Sequence, residues 1–124
     1  MLGANALTAI YHLAIASDWA QAQRSGEYRI STRGRTLDEE GFIHASTESQ
    51  VAPVANAYYR DAEDLVVLVI DPGRLRSEIR YEQVPGSEAP FPHIYGPLNA
   101  DAVVRTLPLD RNAEGRFHFT AGQH

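Results

Sequence analysis

The sequence predicts an α+β domain with small antiparallel or mixed sheets, and three observations carry that prediction. Residues 64–71 form the most hydrophobic run, β-branched and bounded by Pro72-Gly73, as expected of a central strand buried on both faces. Two segments open with helix-capping signals, at Ser17 and Asp18 and again at Thr47. The segments run β-α-β-α-β-β-β, without the steady alternation of a doubly wound sheet. With 124 residues there is room for one domain, residues 1–124, with its core at about 9–109 and flexible ends.

In chain order, residues 9–14 read as a first strand, with Ile10, His12 and Ala14 on one face and Tyr11 and Leu13 on the other. Ser17 and Asp18 are candidate N-caps, Gln21 stands three residues after Asp18, and a helix at 19–25 stops at Gly26. Residues 27–40 are polar, carry Arg29, Arg33 and Arg35 around Gly34, and read as a strand fragment followed by a mobile loop. A short strand at 42–45 points Phe42 and His44 to the same side. Thr47 and Gln50 bracket the start of a helix at 48–60, whose Val51, Val54, Ala55 and Tyr58 share one face, with Pro53 as an irregularity inside it. Beyond the central strand come a strand at 79–84 and a Pro85-Gly86 turn. A stiff extended connection follows at 91–98, then a strand at 102–109 and an edge strand at 117–119.

Composition removes whole classes of chemistry. The chain has no cysteine, which excludes thiol nucleophiles, thiolate zinc sites and disulfides, and all eleven basic residues are arginine. Schiff-base chemistry and a P-loop lysine are excluded with them. A net charge of −5, with the arginines scattered among sixteen acids, gives no basic face for a long nucleic acid. A small molecule is the expected ligand. The longest unbroken apolar stretch, residues 65–70, is far shorter than the ~20 residues of a spanning helix. The first residues lack the charged and apolar regions of a signal peptide, so no membrane association and a cytoplasmic location are expected.

Three histidines occupy apolar, strand-like settings: His12 after Ile10-Tyr11, His44 after Phe42-Ile43, and His93 between Pro92 and Ile94. A buried imidazole costs free energy unless it finds partners, so three in such settings suggest a shared pocket. Their separations match no short metal-ligand motif, and no metal is assigned. Glu40 and Glu82 are the carboxylates placed to orient a histidine or stabilise a cation. The stiff segment at 91–98 adds Tyr95 and Gly96, where Gly96 allows close backbone approach.

The motifs Ile10-Tyr11-His12-Leu13, Asp18-Trp19, Gly26-Glu27-Tyr28, Glu40-Gly41-Phe42-Ile43-His44-Ala45-Ser46, Ile70-Asp71-Pro72 and Arg80-Tyr81-Glu82, with residues 91–98, resemble the bacterial family catalogued as domain of unknown function 952. The resemblance runs from about residue 10 to 109, and the family carries no established activity. Tyr11-His12, a tryptophan shortly after, a glycine-bearing turn and a strand ending in His44 are also similar to the opening of RNA 2′-phosphotransferases. Those enzymes are NAD-dependent members of the ADP-ribosyltransferase fold. That second likeness implies an ADP-ribosyltransferase-like fold, with two small sheets around a cleft and two short helices, and NAD as the cofactor. It sets His12 and His44 beside the NAD ribose or phosphates, and Glu82 and Tyr95 are candidates for holding the ribose and stacking on nicotinamide. Tyr11, Ser46, His93 and Gly96 complete the candidate ligand-binding set. The chain lacks the amino-terminal domain of the RNA enzymes and is acidic, so tRNA is not the expected substrate.

Three functions follow as expectations. The first is NAD-dependent ADP-ribosyl transfer to a small-molecule or protein acceptor, with His12, His44 and Glu82 as catalytic residues. A non-catalytic module for a nucleotide-like ligand would use the same pocket. A histidine-ligated metallohydrolase would need the three imidazoles to converge on one ion. No cofactor is expected to be needed for folding.

Overall fold

The computed structural model describes residues 8–121. The expectation of flexible ends lies outside that range at 1–7 and 122–124, whereas residues 110–121 fall inside it and include the paired strands Asp110–Arg111 and Phe117–His118. Strand β1 (Ile10–Ile15) runs into helix α1 (Ala16–Ser25), followed by β2 (Glu27–Tyr28), β3 (Ile30–Thr32) and β4 (Arg35–Thr36). Helix α2 (Leu37–Glu40), β5 (Ile43–His44) and helix α3 (Glu48–Tyr58) come next. Strands β6 (Leu65–Ile70), β7 (Glu78–Glu82), β8 (Phe91–Tyr95) and β9 (Leu98–Asn99) lead through a 3₁₀ turn (Ala100–Ala102) to β10 (Val103–Leu107), β11 (Asp110–Arg111) and β12 (Phe117–His118). The fold is α+β with small antiparallel sheets and few helices.

Strand β6 is central, as its composition requires. It pairs antiparallel with β1 on one side (Ile10 opposite Ile70, His12 opposite Leu68) and with β10 on the other. Its side chains feed two cores. Leu68 and Ile70 join Ile10, Tyr28, Ile43, Ile94 and Leu98 on one face, whereas Val67 and Val69 join Tyr11, Leu13, Val51, Val54 and Tyr59 on the other. Each fully buried Leu or Ile contributes about 2 kcal/mol by removal of apolar surface from water.

The second sheet has the order β5-β8-β7, with His44 opposite His93 and Arg80 opposite His93 on the other side. The two sheets are stitched together at one point. Tyr11 N–H donates to Ser46 O at 2.8 Å and Ser46 N–H to Tyr11 O at 2.7 Å, just past the end of β5. This bridge lays His12 alongside His44.

Several expectations are corrected. Ser17 and Asp18 are not N-caps: the helix begins at Ala16 after Ile15, and the Ala16 N–H is satisfied by Asp64 O at 2.8 Å. The polar stretch at 27–40 is not a loop. It folds as the β3–β4 hairpin and α2, whose Thr36 cap accepts from Glu39 N–H while Glu39 accepts from Thr36 N–H at 2.9 Å. A third α-helix therefore joins the two that were expected. On α3 the inward aromatic is Tyr59, 3% exposed, just past the helix end, whereas Tyr58 is 71% exposed.

Residues 91–98 are not a connection either, because they hold the middle strand of the second sheet. Pro92 fits there because β5 ends at His44: Ala45 N–H still bonds Pro92 O at 3.0 Å, and the missing Pro92 N–H costs the ladder only its last rung. Gly26 does end α1, with φ +91°.

Candidate functional site

His12 sits 3% exposed with both ring nitrogens engaged. Its Nδ1 lies 2.6 Å from the His44 carbonyl, which only accepts, so Nδ1 carries the hydrogen. The Tyr28 hydroxyl then donates to Nε2 at 2.9 Å. Burial pushes His12 down to about 4, opposed by that backbone bond, so the imidazole is neutral at physiological pH.

His44 is the next ring outward. Burial first, then the neighbouring His12 and His93, lowers it to about 4 as well. Its backbone N–H donates to Ser31 Oγ at 3.2 Å, while its ring has no hydrogen bond among the described residues. A cavity of about 10 Å³, room for one water, lies among His12, Ser31, His44, Ser46 and Tyr59. His44, Val54 and Tyr59 also line an open groove of about 970 Å³, a size suited to a small ligand. The groove runs between α3 and residues 84–89, with the exposed Tyr58 on its wall beside Arg33 and Phe91. Pro53 lines it too. Lacking an N–H, Pro53 leaves the Ser49 carbonyl without the amide donor an ordinary residue would supply.

His93 stands 5.3 Å from His44, ring to ring, and stacks on Phe42 at 4.1 Å. Its Nδ1 donates to Glu82 Oε1 at 2.7 Å, and the Tyr95 hydroxyl donates to the same oxygen at 2.6 Å. Those two bonds hold the Glu82 carboxyl below its ordinary range, the Tyr95 bond contributing most. Arg80 lies over the Tyr95 ring at 4.3 Å.

The structure thus brings His12, His44, Ser46 and His93 into one neighbourhood, in a row rather than a ring. Glu82 and Tyr95 stand behind His93 and do not line the groove. Tyr11 lies on the opposite face of β1 from His12, edge-on to Phe119 at 5.5 Å. Gly96, at φ +150°, packs against Ser77: a Cβ there would overlap Ser77 Oγ and lie 2.9 Å from Ser77 Cβ. Glu40 is paired with Arg35 at 2.5 Å, Arg29 with Asp38 and Arg33 with Asp61. Among the described residues no group of three or more His, Asp or Glu side chains is arranged to hold a metal. None of their helices is long and apolar enough to cross a membrane.

Sequence reasoning missed Tyr28 and Ser31, the partners of His12 and His44, and the groove wall. The wall had a signal in Pro53 and in Tyr58, which the sequence presented only as a helix irregularity and as part of the inward face.

The crystal structure of protein CC0527 from Caulobacter crescentus is 31% identical to this chain, with a TM-score of 0.76 over 90% of this chain and 94% of that one. The solution NMR structure of the same protein gives 31% identity and a TM-score of 0.72, covering 89% and 91%. No curated protein matches the chain. The model of the family described as "Protein of unknown function (DUF952)" matches residues 13–106, most of the chain, and the protein belongs to that family.

Proposed function

We propose that the groove beside His44 binds a nucleotide-like ligand and that the protein is an ADP-ribosyltransferase-like, NAD-utilising enzyme acting on a small-molecule or protein acceptor. One observation carries the reading: His44 alone of the three histidines reaches the groove, neutral and with an unbonded ring. A neutral imidazole can accept the proton of an attacking hydroxyl as nicotinamide leaves and cationic charge grows on the ribose. Tyr58 and Phe91 offer aromatic surface for the flat rings of a dinucleotide, and Arg33 offers positive charge for its phosphates. His12 supports His44 from behind through its carbonyl.

A second reading, a non-catalytic module for the same ligand class, is favoured by one fact. Glu82 and Glu40 are both committed to partners and neither lines the groove. One experiment separates the two. NAD at a hundredfold excess over its Kd adds ~2.7 kcal/mol of stability in either case. Nicotinamide release, abolished by His44→Gln, supports the enzyme, whereas stabilisation without release leaves the module. If neither NAD nor ADP-ribose shifts the melting temperature at millimolar concentration, the proposal fails.

A further inference from the structure

We propose that Glu82 and His93 form a relay that sets the protonation of His44 from behind, so that Glu82 is a positioning residue that does not touch the groove's occupant. The proposal rests on the groove as the working site and deepens that reading. A carboxylate only accepts, so the 2.7 Å contact places the hydrogen of neutral His93 on Nδ1 and leaves a lone pair on Nε2. That Nε2 is buried with no hydrogen-bond partner among the described residues, on a residue 3% exposed. Orphaned buried polar atoms are rare in folded proteins and call for a specific explanation.

The neighbouring ring supplies one. His44 lies 5.3 Å away, tilted by 49°, half-buried and unbonded at its own ring. Phe42, stacked on His93 at an interplanar angle of 13°, and the Glu82 bond keep His93 from turning to another donor. A turn of the His44 ring directs its N–H to His93 Nε2 and frees its second nitrogen for a hydroxyl in the groove. The ligand class is therefore an alcohol or ribose hydroxyl acting as an oxygen nucleophile.

The transfer balances. As the hydroxyl oxygen bonds the ribose carbon of NAD, the bond from that carbon to nicotinamide breaks and nicotinamide leaves neutral. The hydroxyl proton passes to the free nitrogen of His44, and the hydrogen on the other His44 nitrogen passes to His93 Nε2. His44 ends neutral, and the positive charge rests on His93 against the Glu82 carboxylate. Burial opposes the charge at both rings, and only His93 has a carboxylate beside it, Glu82 at 2.7 Å, which favours handing the charge on.

The test is long-range ¹H–¹⁵N NMR of the full chain carrying ¹⁵N-histidine, without ligand. Expected are His93 hydrogenated only at Nδ1 and His44 in one tautomer. In Glu82→Gln the single His44 tautomer should be lost to a mixture, with recovery in Glu82→Asp. His93 hydrogenated at Nε2, or a folded Glu82→Gln protein with His44 unchanged, overturns the relay. The native spectrum decides alone should Glu82→Gln fail to fold. Titration with NAD separates this from the groove reading. Expected tautomers without NAD binding keep the relay and remove the NAD reading, while NAD binding with His93 hydrogenated at Nε2 does the reverse.

Discussion

Acidification through the range where histidines titrate should destabilise this protein through His12. The folded His12 titrates at about 4 because burial opposes its charge, whereas in the unfolded chain it takes the ordinary value of 6.5. Below 6.5 the unfolded state binds a proton that the folded state refuses, so stability is full above that value and falls as pH drops toward 4. Between about pH 7.5 and about pH 5 the loss through His12 alone amounts to about 2 kcal/mol. His44, lowered in the same direction, brings the total to no more than about 4 kcal/mol, with its partial exposure discounted. The lowered carboxyls of Glu82, Asp61 and Asp101 act in the same sense, but only at the lower pH where carboxylates titrate, which keeps this window for histidine. Urea unfolding at the two pH values measures the difference. His12→Asn, whose amide can still donate to the His44 carbonyl but does not titrate, should flatten the slope by the His12 share. Equal stability at both pH values, or a His12 NMR titration with its midpoint near 6.5, refutes the reasoning.

Tyr28→Phe removes the hydroxyl that donates to His12 Nε2 and leaves a buried nitrogen unpaired, so unfolding should cost about 2 kcal/mol less by urea titration. Gly96→Ala should destabilise by about 2–3 kcal/mol, from the strained φ and the overlap with Ser77. Ser77→Gly should recover part of that loss in a double-mutant cycle, and no coupling between the two sites would refute the packing account. Thr36→Ala should cost about 1 kcal/mol, the ordinary worth of an N-cap, with α2 as the first segment to lose amide-exchange protection. Arg33→Ala, which breaks an exposed pair with Asp61, should leave stability nearly unchanged by urea titration. Its larger effect belongs in NAD titrations, as a weaker Kd.

What was legible in the fold is what local pattern controls. The 65–70 run could only be a buried strand, Thr47 with Gln50 marked the start of α3, and Gly26 marked the end of α1. The stretch at 27–40 failed because its strands are two or three residues long and carry no period. They are held by tertiary bonds such as Leu37 N–H to Arg29 O at 2.8 Å. Its Thr36-to-Glu39 capping box was nonetheless visible in the sequence. Pro92 misled in the opposite way. A proline argues against a middle strand unless its missing donor falls where the neighbouring strand stops, and that depends on the length of β5 rather than on Pro92.

The site was legible as residue types in unusual surroundings but not as geometry. Three imidazoles in apolar strands had to find partners, and two of the partners, Tyr28 and Glu82, lie 16 and 11 residues away along the chain. What no local pattern gives is their order in space. The Tyr11–Ser46 bridge lays His12 against the His44 backbone, and the β5–β8 register lays His44 against His93. That order divides the labour. His12, with both nitrogens committed, has no group left for a ligand and acts on the site by holding the His44 carbonyl. His93 spends one nitrogen on Glu82 and has one without a partner among the described residues. His44 has both free among the described residues and reaches the groove. A histidine can handle a ligand's proton only with a nitrogen to spare, so the middle ring of the row, His44, is the chemical one and the two buried rings on either side support it.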